Sequence, residues 1–358
     1  MHEKLTIQDI ARLAGVSKAT VSRVLNHKPV VSAEVHERVT RIIAENGFVP
    51  NATAIQLAGG RKRLIGVLAP PLTWPALPEI LRGVAEYIEQ TSYEIVLYSI
   101  SFERDHADVL ERILGMRMIS GLLAILPGEL SRHVATHFEQ GLPLVMIDDQ
   151  EQPGAVPWVG IDNVVGAYQA TRYLLDLGYR RIAHLRGPEH YYCAQERYQG
   201  YCQALQDAGL NLDPSLLLQG QFDTPSGRRS ASEFFAHDKS TWPDALFVGN
   251  DQMAYGVLET LEKMGARVPE DIAIVGFDDN LLSAYMRPPL TTIHQPFFQM
   301  GSTAIELLLT MIDPEHSAVA EERKDSAPSE LFRVQDALNQ GHPPRILLPT
   351  RLVVRASS

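Results

Sequence analysis

Ala14-Gly15-Val16-Ser17-Lys18-Ala19-Thr20-Val21-Ser22-Arg23-Val24-Leu25-Asn26 is the stretch whose reading decides what this chain is. It predicts a tight glycine turn followed by a short helix capped by Ser17. On that helix Ala19, Ser22 and Arg23 stand three or four residues apart, while Val21, Val24 and Leu25 turn inward. Working outward, Thr6-Ile7-Gln8-Asp9 opens an earlier helix, with Thr6 as N-cap and Asp9 completing a capping-box variant. Ile10, Leu13 and Ala14 fall on its apolar face. A third helix starts at the N-cap Ser32, runs through Val35, Val39, Ile42 and Ile43, and stops at Asn46-Gly47. Three short helices, with a glycine turn before a polar-faced middle one, predict a helix-turn-helix reader of the DNA major groove.

The distribution of charge points the same way. Residues 1–63 hold ten Lys and Arg against five Asp and Glu, a balance of +5, whereas the whole 358-residue chain stands at −11 and the remainder therefore at −16. A basic head on an acidic body is expected to touch nucleic acid through the head alone. A chain of this length predicts two or three domains. It has no apolar run of membrane-spanning length and no apolar signal core near Met1, so a cytoplasmic, non-membrane location is expected. Cys193 and Cys202, the only two cysteines, fit neither a zinc knuckle nor a redox pair and read as reduced thiols. The twelve histidines show no metal-ligand spacing. No metal, no cofactor and no catalytic motif is expected, and the chain reads as a non-enzyme.

From Leu64 onward short apolar runs alternate with amphipathic stretches. The runs predict strands at Ile65–Ala69, Glu94–Tyr98, Gly121–Ile125, Leu144–Ile147, Trp158–Ile161, Arg181–Leu185, Ala245–Val248 and Ile272–Phe277. Between them, helices are expected at Leu77–Gln90, Val164–Leu177, Ala194–Ala208 and Met253–Met264. This alternation implies parallel sheets with helices on both faces, in two doubly wound subdomains, with ligands at the carboxyl ends of the strands.

The stretch from Leu5 to Leu68, through Pro50-Asn51-Ala52-Thr53-Ala54-Ile55-Gln56-Leu57 and Leu64-Ile65-Gly66-Val67, resembles the head and hinge of the LacI/GalR family of bacterial repressors, and the likeness extends along almost the whole chain. It implies an all-α helix-turn-helix head (1–49), a hinge helix and linker (50–63), and a periplasmic-binding-protein-like α/β effector and dimerisation domain (64–358). Within that domain the implied N-subdomain comprises 64–162 and 295–325, and the C-subdomain 163–292 and 326–358. Three crossovers are implied, near Asp162-Asn163, near Thr292–Gln295, and somewhere after Met311. The run Ile346–Arg355 reads as one closing strand. Asp313 to Pro344 is longer than the family's usual link and reads as a solvated insertion in which Leu331, Val334 and Leu338 mark a brief amphipathic helix.

The resemblance places Lys18, Ala19 and Arg23 at the base-reading positions of the recognition helix. Arg23 suits guanine O6 and N7, Lys18 offers a single donor, and Ala19 offers a methyl contact to thymine. Thr6, Ser17, Ser22 and Asn26 suit phosphate oxygens, which set register without reading sequence. Residues 51–59 match the family's hinge helix and Leu57 its minor-groove wedge. Ile55 and Ala58 depart from the basic residues that many relatives carry there, which lowers the expected polar grip.

Small polyols are held by planar hydrogen-bonding groups and an aromatic face. Arg197, in a stretch that resembles the family's R-x-x-G-aromatic signature, meets that need, as do the strand-end residues Asp148, Asn250 and Asp278. Phe222 matches an aromatic platform in relatives, and Trp74 sits on the first strand-to-helix loop. The expected protein is a homodimeric repressor of carbohydrate-utilisation genes that binds a pseudo-palindromic DNA operator and is released by a sugar effector. Three alternatives stay open: a corepressor-dependent repressor, a transporter's solute-binding protein, and an α/β enzyme using the same polar cleft.

Overall fold

The computed structural model describes residues 5–25, 31–48, 64–100, 107–115, 118–125, 131–148, 156–313 and 343–358. They fall into two compact units, Met1–Arg63 and Leu64–Ser358.

The first unit is helical: α1 (Ile7–Ala14), α2 (Lys18–Leu25) and α3 (Ala33–Glu45). The capping box at the start of α1 forms in full. The Asp9 amide donates to the Thr6 hydroxyl oxygen and the Thr6 amide donates to the Asp9 carboxylate at 3.0 Å. Gly15, at φ 65°, takes the left-handed conformation that ends α1 and turns the chain. Ile10, Val21 and Val39, one from each helix, are fully buried and Phe48 closes the base. At roughly 1.5–3 kcal/mol for each fully buried aliphatic side chain, this small cluster is what holds three short helices together. Leu13 does not join it. Its side chain is 51% exposed, because the buried face of α1 runs through Ile10, Ala11 and Ala14 instead.

The second unit alternates strand and helix. Its elements are β1 (Leu64–Ala69), α4 (Leu77–Ile88), β2 (Glu94–Ser99), α5 (Ala107–Gly115), β3 (Ile119–Ile125), α6 (Ser131–Glu139), β4 (Leu144–Ile147) and β5 (Trp158–Ile161). There follow α7 (Asn163–Asp176), β6 (Ile182–Arg186), α8 (Tyr192–Asp207), β7 (Leu217–Gln219), α9 (Thr224–Phe234), β8 (Ala245–Val248), α10 (Asp251–Lys263), β9 (Ala273–Asp278), β10 (Thr291–His294), α11 (Phe297–Ile312), β11 (Arg345–Leu348) and β12 (Arg351–Val353). Two six-stranded sheets result, ordered β11-β5-β4-β3-β1-β2 and β12-β10-β9-β8-β6-β7. Every pairing is parallel except β10 with β12. The inner strands β1, β3, β4, β8 and β9 are buried along almost their whole length because helices cover both faces, whereas the edge strands β2, β11 and β12 carry exposed polar residues.

The chain passes between the sheets three times. It leaves the first sheet after β5, at Asp162, and returns after β10, at Gln295-Pro296, where α11 docks on α4. These two helices meet backbone to backbone. A Cβ on Gly83 would strike the Phe298 carbonyl, and one on Gly301 would strike the Ile80 carbonyl. The third passage is Pro349-Thr350: β11 pairs with β5 in the first sheet and β12 with β10 in the second. The run 346–355 is therefore two strands rather than one, and residues 345–348 belong to the first subdomain instead of the second. Of the expected insertion, residues 314–342 lie outside the described residues, and with them Leu331, Val334 and Leu338. No helix among the described residues is long and apolar enough to cross a membrane.

Candidate functional site

In the helical unit Ser17, Lys18, Ala19 and Arg23 are exposed and Ser22 is half-buried. Lys18 with Ser22 and Ala19 with Arg23 are each four residues apart, so the four form a stripe opposite the buried Val21 and Val24. Ser17 accepts a hydrogen bond from the Thr20 amide at 3.1 Å and so caps α2. The exposed Thr6 hydroxyl donates to Asp9 at 2.6 Å. Asn26, Leu57 and the whole hinge segment lie outside the described residues.

The second unit gathers Arg197, Asp278, Asn250 and Phe222 at the carboxyl ends of its second sheet. Arg197 projects from α8 and is only 4% exposed. Its Nε donates to Asn163 Oδ1 at 3.0 Å and its terminal nitrogen donates to the Gly249 carbonyl at 2.6 Å. Asp278 Oδ1 lies 3.6 Å from that same nitrogen. The guanidinium rests on the Phe277 ring, 3.8 Å from its centroid, and lies 5.9 Å from that of Phe222. Asn250 caps α10, accepting from the Met253 amide at 3.0 Å, while its own amide donates to the Phe222 carbonyl at 3.0 Å. The capping role and the placement of Phe222 are thus held by one side chain. The Phe222 ring lies over Gly187, where any Cβ would collide with it.

Asp148 and Trp74 belong to the first sheet's side. The Asp148 amide donates to the Val159 carbonyl at 3.0 Å and its own carbonyl accepts from the Trp158 indole. Trp74 packs edge-on against Phe297, with centroids 6.1 Å apart.

Backbone strain marks the same places. Among the described residues, the non-glycine positions with positive φ are Asp148 (69°), Phe222 (60°), Asp278 (117°) and Asp279 (58°). Each such residue costs about 1–3 kcal/mol, and such strain concentrates at functional sites. Two of the four, Asp148 and Asp278, are residues that strand-end chemistry singles out from the sequence, and Phe222 is singled out by the family resemblance.

Three further residues were not singled out. Gln295, at the second passage and 2% exposed, donates to Asp278 Oδ1 at 2.7 Å, while its own Oε1 has no partner. Asn163 bridges Arg197 to Glu196 at the first passage. Both directly follow a strand or its capping residue, so the strand-end rule that selects Asp148 would also have found them. The third is Asp251, fully buried, which accepts from the Ser283 and Thr292 hydroxyls at 2.6 Å each and from the Asn280 amide at 2.9 Å. Burial pushes its pKa upward, and the charge of Asp278 adds to that. Burial likewise pushes Asp278 upward, against the pull of Arg197.

A separate groove of about 640 Å3 runs along β7, lined by Leu216, Leu218, Phe234 and Trp242 among others, and none of the candidate residues lines it.

Comparison with known proteins matches residues 6–51 to the bacterial regulatory proteins of the lacI family and residues 171–333 to the periplasmic binding protein-like domain. The repressor PurR of Aliivibrio fischeri is 33% identical over 314 residues, spanning 87% of this chain and 93% of that protein. The ribose operon repressor of Escherichia coli is 34% identical over 309 residues, 86% of this chain and 93% of that one. A crystal structure of the lac repressor dimer bound to operator and an anti-inducer superposes with a TM-score of 0.82, at 28% identity and over 99% of both chains. With the head, the strained strand ends and this likeness along nearly its full length, the chain belongs to the lacI family of bacterial regulatory proteins.

Proposed function

We propose that the chain is an effector-gated transcriptional repressor that binds a pseudo-palindromic operator as a homodimer and is released by a sugar. The observation that carries the effector half is the coincidence of backbone strain with carboxylates at Asp148 and Asp278 and an aromatic ring at Phe222, the latter two beside the buried Arg197. A polyol with adjacent hydroxyls would donate to Asp278 and accept from Arg197, with Phe222 covering its C–H face. Asn250, Asp148 and Trp74 complete the cleft in this reading. In the head, Lys18, Ala19 and Arg23 read base edges, and Thr6, Ser17, Ser22 and Asn26 hold phosphates. Leu57, outside the described residues, is the minor-groove wedge in this reading.

Coupling requires the sugar to prefer the released state, and the passages at Asp162, Gln295 and Pro349-Thr350 are where the two subdomains would shift. The relatives named as the transcriptional repressor PurR and the ribose operon repressor, and the lac repressor held on its operator, support this reading. The test is retention of the chain's own upstream DNA over random DNA, followed by titration with a panel of sugars. Equal affinity for both DNAs would end the proposal. A ligand that tightens binding would favour the corepressor alternative.

A further inference from the structure

We propose, resting on the reading of this cleft as the effector site, that Asp279 is a positioning residue. It carries occupancy of Asp278 to the passages between the subdomains, and is required for the sugar's effect on operator binding rather than for binding the sugar.

Asp278 and Asp279 are consecutive, and both hold positive φ, at 117° and 58°. Their side chains take different partners. Asp278 accepts from Gln295 Nε2 at 2.7 Å and lies 3.6 Å from Arg197, whose Nε donates to Asn163. Asp279 accepts from His294 Nδ1 at 2.9 Å through one oxygen, and from a terminal nitrogen of Arg355 at 2.6 Å through the other. These partners mark the passages. Asn163 follows the first, at Asp162; His294 ends β10 and Gln295 opens the second. Arg355 stands two residues beyond β12, which begins immediately after Pro349-Thr350. One strained dipeptide therefore reaches all three passages, directly or through Arg197, and Asp279 supplies the link to the third.

The Asp279 side chain is 13% exposed and both of its carboxylate oxygens are engaged. Burial by itself would raise its pKa, but the hydrogen bonds from His294 and Arg355 outweigh that and lower it, so the group is an anion. Charge-assisted hydrogen bonds in so sheltered a place hold their partners firmly. A sugar hydroxyl donating to Asp278 competes with Gln295 for the same carboxylate. Any turn of the peptide between Asp278 and Asp279 that accommodates the sugar swings the Asp279 carboxylate, and with it His294 and Arg355. Both residues already lie outside the favoured backbone regions, so relief of strain is available to help drive that turn.

The experiment measures two quantities on the full chain: the calorimetric Kd for a sugar, and the factor by which that sugar at saturation changes operator affinity. The probe is the tightest binder among D-ribose, D-glucose, D-galactose and maltose. In Asp279→Asn the sugar Kd should stay within about threefold of wild type while the operator factor falls by about tenfold. Arg355→Met should do the same, and Arg355→Lys, which keeps a cation, should retain part of the response. Asp279→Asn combined with Arg355→Met should be no worse than either alone, because both act through one clasp. A purely structural role would weaken sugar and operator binding together, without this selective loss. Wild-type factors in both Asp279→Asn and Arg355→Met overturn the proposal, and so does loss of sugar binding in step with the response. If no sugar of the panel binds the wild type or alters its operator affinity, the effector reading fails and this inference with it. A wild type that responds beside an Asp279→Asn that responds equally ends this inference alone. Should Asp279→Asn not fold, Arg355→Met and His294→Leu carry the test.

Discussion

The terminal nitrogen of Arg197 lies 3.6 Å from the Asp278 carboxylate, with side chains 5% and 11% exposed, so each is the other's main charge partner in a nearly dry place. Removing one leaves the other uncompensated. Arg197→Met should destabilise the chain by about 3–5 kcal/mol, the range for breaking a buried ion pair. Arg197→Met combined with Asp278→Asn should recover part of that loss, since neither charge then remains. Urea unfolding of the wild type, each single variant and the double variant checks this, and additive losses would contradict it.

The exposed stripe on α2 makes a prediction about specificity. Arg23→Ala should cost about 1–3 kcal/mol of operator affinity and relax preference at one base pair per half-site. Thr6→Val, at a position proposed to hold a phosphate, should weaken binding evenly across operator variants. Fluorescence anisotropy on a set of single-base operator changes distinguishes the patterns. Uniform weakening by Arg23→Ala would move that residue from base to backbone contact.

His184 sets a pH dependence. It is fully buried on β6 between Tyr201 and Phe247, its Nδ1 donates to the Phe247 carbonyl at 3.0 Å, and burial pulls its pKa down to about 3. A depressed folded-state value means that the unfolded chain takes up the proton first. The contribution is therefore fully present above about pH 6.5 and is lost as pH falls toward 3. In His184→Phe the fall in stability from pH 7 to pH 4 should be shallower than in the wild type, by up to a few kcal/mol. Parallel profiles of urea midpoint against pH would refute it.

The crossing of α4 and α11 should tolerate no added side chain. Gly301→Val places branched carbons against the Ile80 carbonyl and should lower stability by about 1–3 kcal/mol. Thermal unfolding checks this, and a wild-type Tm would show that the helices can part freely.

Much of the fold is legible in the sequence where apolar runs are bounded by turn residues. Leu144–Ile147, Trp158–Ile161 and Ala245–Val248 form strands over the residues their patterns predict. The run 346–355 misleads because periodicity records burial, not partners. Pro349 interrupts it, yet Ile346 and Leu348 before it are buried in one sheet and Leu352 and Val353 after it are half-buried in the other. Leu13 misleads for a related reason: on an eight-residue helix, i+3 spacing from Ile10 admits two faces, and only the packing of α2 and α3 chooses between them.

At the site, charge and strand-end placement make Arg197 and Asp278 legible. Gln295 and Asn163 were overlooked because an amide at the end of a strand also reads as an ordinary turn residue. What no pattern could show is that Asn250 serves two masters, the start of α10 and the carbonyl of Phe222.

The two-residue step at Pro349-Thr350 has a consequence for how the molecule is assembled. β11 and β12 are edge strands of different sheets, so neither half of the effector unit is finished until residues 345–353 have been placed. A growing chain carries two open sheet margins, each ready to pair with the wrong neighbour, until one short segment seals both.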